Sequence, residues 1–100
     1  MAIKITIRQA DVAQRMKDYA EKRASKIVER FPKIEDVHMI INSQRHLFEA
    51  EVVVQVKGQV AVGNKEQAYN IRSAIDMASA RVETQLRKNR KKIVSIHTRP

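Results

Sequence analysis

The chain has 100 residues, 43% of them hydrophobic, with only two Tyr, two Phe and no Trp, so one domain around an aliphatic core is expected. It contains no cysteine, which excludes disulfides, thiolate chemistry and cysteine-based zinc sites. Twenty Lys and Arg against eleven Asp and Glu give a formal charge of +9 and a pI near 10.3, the electrostatic footprint of a nucleic-acid binder.

The stretch IKITI at 3–7 alternates Ile3, Ile5 and Ile7 with Lys4 and Thr6, the pattern of a half-buried strand. Asp11 then stands where it could cap a helix over 12–30, whose Val12, Met16, Ala20, Ala24, Ile27 and Phe31 fall on one side at helical spacing. Pro32 stops that helix, because the residue before a proline resists helical angles. VHMII at 37–41 and HLFEAEVVVQVK at 46–57 alternate apolar and polar residues, and the polar NSQR between them reads as a hairpin connection. A short fourth strand is expected at 59–63. A second helix over 67–92 carries the core stripe Ile71, Ile75, Ala78, Val82 and Leu86.

The order β-α-β-β-β-α implies an α+β fold in two layers, a four-stranded mixed sheet with both helices packed on one face. A right-handed crossover makes the first two strands parallel. The other face, with Lys4, Thr6, His38, Glu49, Glu51, Gln55 and Lys57, meets water; Ile40 and Val53 are the apolar exceptions there. Residues 1–92 form the domain and 93–100 a C-terminal tail. No segment approaches the roughly 18 apolar residues of a membrane span, and MAIKITIRQADV lacks the apolar run of a signal peptide. A soluble, cytoplasmic protein is expected.

An enzyme is not. His38, His46 and His97 are scattered without metal-ligand spacing, and Gly58 and Gly63 open no phosphate-binding loop. Glu49 and Glu51 read as solvated strand charges, and Asp76 as an ion-pair partner of Arg72, four residues earlier on its helix. No catalytic residue, metal, cofactor or small-molecule substrate is implied.

The positive charge is concentrated. Residues 81–100 hold seven Lys and Arg against Glu83 alone, so six of the nine net charges lie in the last fifth of the chain. LRKNRKKI at 86–93 places Arg87, Lys88, Arg90, Lys91 and Lys92 within six positions, more cations than a helix C-terminus favours through its dipole. Arg81, Lys88 and Lys92 form one stripe of the second helix, and Arg90 lies on the line of Arg72. In the first helix Arg15, Lys22 and Lys26 form a similar stripe, with Arg23 between it and the core. Side by side on one sheet, the helices would present a positive surface suited to RNA phosphates. The strands offer no paired aromatics for base stacking, and the helices no spare apolar stripe for a membrane.

IKITI, MKDYAEKRASKIVERF, EAEVVVQV and SAIDMASARVETQLRKNRKK, in that order and spacing, resemble the ribosome hibernation-promoting factors and their ribosome-associated inhibitor siblings, in the short form, over nearly the whole chain. The sequence departs from that pattern at Arg72, where a Tyr is usual, at NIR for an acid-Met-Tyr helix opening, at Ile7 for a Gly and at Ala13 for a Thr. The resemblance implies binding to the small ribosomal subunit and its ribosomal RNA in the channel between head and body. There the protein would compete with messenger and transfer RNA and silence ribosomes in stationary phase or stress. It implies RNA contacts at Arg23, Lys26, Arg81, Lys88, Arg90 and Lys92, beside which Lys22, Arg87 and Lys91 extend the positive surface. A general double-stranded RNA-binding module and a structural ribosomal protein are the alternative readings.

Overall fold

A computed structural model describes the backbone of residues 2–8 and 11–98, and the side-chain surroundings of residues 3–8 and 11–88. The alternating first segment forms strand β1, Ala2–Arg8. Helix α1, Gln14–Arg30, is followed by β2, Ile34–Gln44, β3, Leu47–Val56, β4, Val62–Ala68, and helix α2, Ile71–Thr98. The strands lie in the order β1-β2-β3-β4, with β1 and β2 parallel and the other neighbours antiparallel. Helix α1 packs over β1 and β2, α2 packs over β3 and β4, and the helices meet each other. This is the two-layer fold expected from the element order.

The core lies between the layers. Register aligns Ile5, Met39 and Val52 across three strands, and the sheet's inward residues join Ala20, Ala24 and Ile27 of α1 and Ile75, Ala78 and Val82 of α2 in one apolar cluster. With so few aromatics, small alanines let the helices sit close to a Val- and Ile-rich sheet. On the open face Thr6 Oγ1 and His38 Nε2 are 2.8 Å apart, and Ile40 and Val53 are half-buried.

Five boundaries differ from the sequence expectation. Asp11 does not cap α1: Ala13 occupies the N-cap with extended backbone and no side-chain hydrogen bond. Its carbonyl accepts from the N–H groups of Met16 and Lys17 at 2.9 and 3.2 Å, while Asp11 stands two positions too early. The β2–β3 hairpin is tighter than expected, because Asn42, Ser43 and Gln44 continue the ladder to the pair Gln44–Leu47. The fourth strand occupies 62–68 rather than 59–63. Its helix-facing positions after Val62 are Asn64 and Glu66, so apolar alternation fades where backbone pairing with β3 continues. Helix α2 consequently starts at Ile71, where Asn70 Oδ1 accepts from the N–H groups of Arg72 and Ser73 at 2.8 and 3.3 Å, a side-chain N-cap. At its other end the helical backbone continues to Thr98, through the segment expected as a tail.

The two helices are joined by a polar ladder. Tyr19, Arg23 and Arg30 of α1 are spaced four and seven apart, and so are Arg72, Asp76 and Glu83 of α2; both spacings return to one helical face. The Arg72 guanidinium lies over the Tyr19 ring, 4.7 Å from its centre. The Tyr19 hydroxyl donates to Asp76 Oδ1, and Arg23 Nε stands 3.6 Å from the same oxygen. Arg23 Nη1 and Arg30 Nη1 then take the two oxygens of Glu83, each at 2.7 Å. Successive rungs pair in the same order on both helices, so α1 and α2 run parallel.

Glu83 is 4% exposed. A carboxylate so buried is tolerated because both oxygens accept charged hydrogen bonds. The Arg23 side chain is itself only 17% exposed, whereas that of Arg30 is 58% exposed. Removing Glu83 leaves Arg23 largely buried without its principal counter-charge, a change that costs about 3–5 kcal/mol. Removing Arg30 breaks a solvent-screened pair worth at most about 1 kcal/mol. In urea denaturation Glu83→Ala should therefore lose several times the stability lost by Arg30→Ala, and equal losses would contradict this division.

The Tyr19 hydroxyl titrates above its ordinary value of 10.0, first because burial disfavours the phenolate and second because the Asp76 carboxylate accepts its proton in a hydrogen bond. A raised folded-state pKa contributes stability that is fully present below the unfolded value and is lost as pH rises through the folded one. The stability difference between wild type and Tyr19→Phe should be constant below pH 10.0 and shift against wild type above it. Denaturation midpoints measured across that range check this; a difference independent of pH would refute it.

Candidate nucleic-acid interface

The ladder fixes where the remaining cations stand. By helical periodicity, Arg15, Lys22 and Lys26 lie on the outer surface of α1 beside its contact with α2. Arg87 lies on the outer surface of α2 near the same seam, and Arg81 and Lys88 share a line on its far flank, toward β4. Because the helices are parallel, their C-terminal ends point the same way. Lys88 is five residues beyond Glu83, about 7.5 Å further along the axis. The positive surface thus continues along α2 past the level where α1 ends.

The expected contact residues divide into three groups. Lys22, Lys26, Arg87 and Lys88 are exposed, and Arg87 Nη2 makes only a 3.4 Å contact to Thr84 Oγ1. Arg81 is also exposed, its side chain at 66%, with Glu66 Oε2 of β4 at 3.8 Å, a loose surface pair that leaves most of the guanidinium open. Beside Arg81 and Lys88 runs an open groove of about 470 Å³ whose walls include Asn64, Met77 and Gln85. Arg23 is different. Its guanidinium is committed to Glu83 and Asp76 within the helix pair, so the structure places it beneath the surface that Lys22 and Lys26 form. Arg90, Lys91 and Lys92 belong to α2, but their side chains lie outside the described residues.

The expected Arg72–Asp76 ion pair is not formed. Arg72 instead stacks on Tyr19, and Asp76 receives Tyr19 and Arg23. The reason lies in the neighbouring helix: an aromatic face and a fixed guanidinium compete successfully with a flexible partner one turn away. Sequence reasoning treated Glu83 only as a lone acid in a basic segment and passed over Tyr19 and Arg30. The matched four-and-seven spacing on the two helices was the signal that could have found all three.

On the open sheet face Glu49 Oε1 lies 3.9 Å from Lys65 Nζ, and its other oxygen accepts from Gln67 Nε2 at 3.2 Å. Both carboxylate oxygens are thus occupied by neighbours on the next strand. Among the described residues no three His, Asp or Glu side chains are grouped to hold a metal ion, and no helix is long and apolar enough to cross a membrane. The chemistry on offer at the two helices is electrostatic: rigidly mounted cations at graded positions, fitted to a chain of phosphates.

Known proteins resemble this chain in sequence and in fold. A ribosome hibernation promoting factor of Azotobacter vinelandii is 28% identical over 92 residues, 92% of this chain and 85% of that protein. A protein of the same name from Pseudomonas putida is 26% identical over 96 residues, 96% of this chain and 93% of its own. Among solved structures, a ribosomal subunit interface protein from Coxiella burnetii superimposes with a TM-score of 0.82 at 20% identity, covering 91% of this chain and 99% of that one, and supports the fold. The N-terminal domain of Thermus thermophilus Protein Y gives a TM-score of 0.76 at 27% identity, covering 88% of this chain and 98% of that domain. The family model described as Sigma 54 modulation protein / S30EA ribosomal protein matches residues 3–94, and the chain belongs to that family.

Proposed function

We propose that this protein binds the small ribosomal subunit and silences translation by occupying the channel used by messenger and transfer RNA. The observation that carries the reading is the sorting of charge on the helix pair. Acids at the seam are consumed by Arg23 and Arg30, while Lys22, Lys26, Arg87 and Lys88 remain on the outside. Family membership and the two curated relatives named as ribosome hibernation promoting factors supply the partner. Lys22, Lys26, Arg81, Arg87 and Lys88, with Arg90, Lys91 and Lys92 further along α2, contact ribosomal RNA phosphates; Arg23 holds the helices at the spacing those contacts require. The protein acts without catalysis or cofactor, and its place of action is the cytoplasm, where ribosomes are.

A rigid positive surface also suits the backbone of any RNA duplex, so a general double-stranded RNA-binding module is the competing reading. Competition separates the two. Co-sedimentation with purified small subunits should survive moderate salt and be lost when messenger and initiator transfer RNA are added. Displacement by any long duplex, with indifference to those ligands, would favour the general module. Combined charge reversal at Lys88, Arg90 and Lys92 should abolish sedimentation while circular dichroism stays unchanged. Milder single Ala substitutions each leave one phosphate without its cation, and each should flatten the salt dependence by about one counterion.

A further inference from the structure

At the end of α2 away from Arg81, Arg87 and Lys88, the β2–β3 hairpin and the end of β4 border an open recess of about 770 Å³. Its walls are Ser43, Gln44, Arg45, His46 and Gln67, with Leu47 at the start of β3 and Tyr69 beyond the end of β4. Among the described residues no carboxylate lines it. Tyr69 is 82% exposed, although the chain has only four aromatic rings with which to build a core. The ring's backbone is fixed on both sides, by Ala68, which closes the β4 ladder opposite Phe48, and by Asn70, which caps α2. Across the recess, Arg45 occupies the two-residue hairpin turn with φ +55°. Glycine or asparagine is the usual occupant of that left-handed conformation, which costs other residues strain. Here it carries a guanidinium, held at the mouth of a recess that also exposes an imidazole and two amides.

We infer that this recess is a second RNA contact, which takes one unpaired nucleotide with its base stacked on Tyr69 and its phosphate beside Arg45. A flat ring presented without a core role is a platform for a base. The Gln44 amide, the Ser43 hydroxyl and the carbonyl of Gln67, whose amide N–H donates to Glu49, can meet the polar edge of that base, and Arg45 and His46 are suited to the sugar-phosphate. Duplex RNA cannot enter, because its bases are stacked and their edges paired. The recess lies roughly 25 Å along α2 from Lys88, by the rise of the helix. It is therefore a site separate from the phosphate-binding surface, with a different physical basis. In the ribosomal setting it rests on the function proposed above; its affinity for unpaired RNA does not.

The test uses the whole chain, its Tyr69→Ala and Tyr69→Phe variants, and three probes: hexauridylate, hexaadenylate and a blunt RNA duplex. Tyr69 ring resonances should move upfield with a single strand and stay in place with the duplex. Tyr69→Ala should weaken single-strand binding by roughly five- to 150-fold, the range for removal of one base stack, with the salt dependence unchanged. Tyr69→Phe should retain most of the affinity. A silent ring, wild-type affinity in Tyr69→Ala, or a loss that Phe does not rescue would overturn the assignment. Sedimentation with small subunits separates the two proposals. Response to oligonucleotides without subunit binding would retain the recess and remove the ribosomal reading. Subunit binding weakened by Tyr69→Ala, with the oligonucleotides inert, would assign the recess to a protein contact and overturn it.

Discussion

The carboxylate of Glu83, buried between Arg23 and Arg30, is the constraint on which the rest of this molecule depends. Two helices laid on a sheet of Val and Ile have little in their apolar contacts to fix how far one slides along the other. Ala20, Ala24, Ala74 and Ala78 allow close approach but offer shallow ridges. A charged group inside a low-dielectric seam is far less permissive, since any slip that unpairs it exposes the cost of burying a charge. The ladder from Arg72 and Tyr19 through Asp76 to Glu83 therefore sets register as well as contact.

That register has an electrostatic consequence. The two acids of α2, Asp76 and Glu83, are turned toward the seam, where they hold Arg23 and Arg30 of α1, while Asp18, Glu21 and Glu29 of α1 stay exposed. The cations left over stand on the outer surfaces of both helices, and the parallel helix directions gather them toward one end. A positive surface made in this way resists rearrangement, because its mounting and its charge sorting come from the same interactions. Phosphate contacts on a rigid mount lose little conformational freedom on binding, which favours a folded RNA whose phosphates are also fixed in space.

Much of this was legible in the sequence, for identifiable physical reasons. Strict alternation in Ile3 to Ile7 and in Phe48 to Val56 marked strands because one face is buried and the other wet. The Ile71-to-Leu86 stripe marked α2 because its apolar spacing is helical. Strand β4 beyond Gly63 was not legible: its pairing with β3 is made by backbone, while Asn64 and Glu66 replace the apolar side chains that periodicity detects. The α1 start was misplaced because a side-chain cap was sought where Ala13 supplies only its carbonyl. Arg23 shows the limit for the candidate site. One-helix reasoning placed it among the cations and could see neither Glu83 nor Asp76, which approach from the other helix. Helical periodicity gathered the cations, the family resemblance implied which of them would meet RNA, and the tertiary pairing sets Arg23 apart from the exposed ones.

The cysteine-free chain allows a single tethered probe to be placed without background. The most direct measurement is hydroxyl-radical cleavage of ribosomal RNA from an iron chelate attached in turn at Lys26→Cys, at Lys88→Cys and, on the open sheet face, at Lys4→Cys. Occupation of the channel by the helix pair predicts cleavage from the first two positions at small-subunit RNA lining the space between head and body, suppressed by messenger and transfer RNA, with little from the third. Cleavage outside that channel, or equally strong channel cleavage from the sheet face, would contradict it.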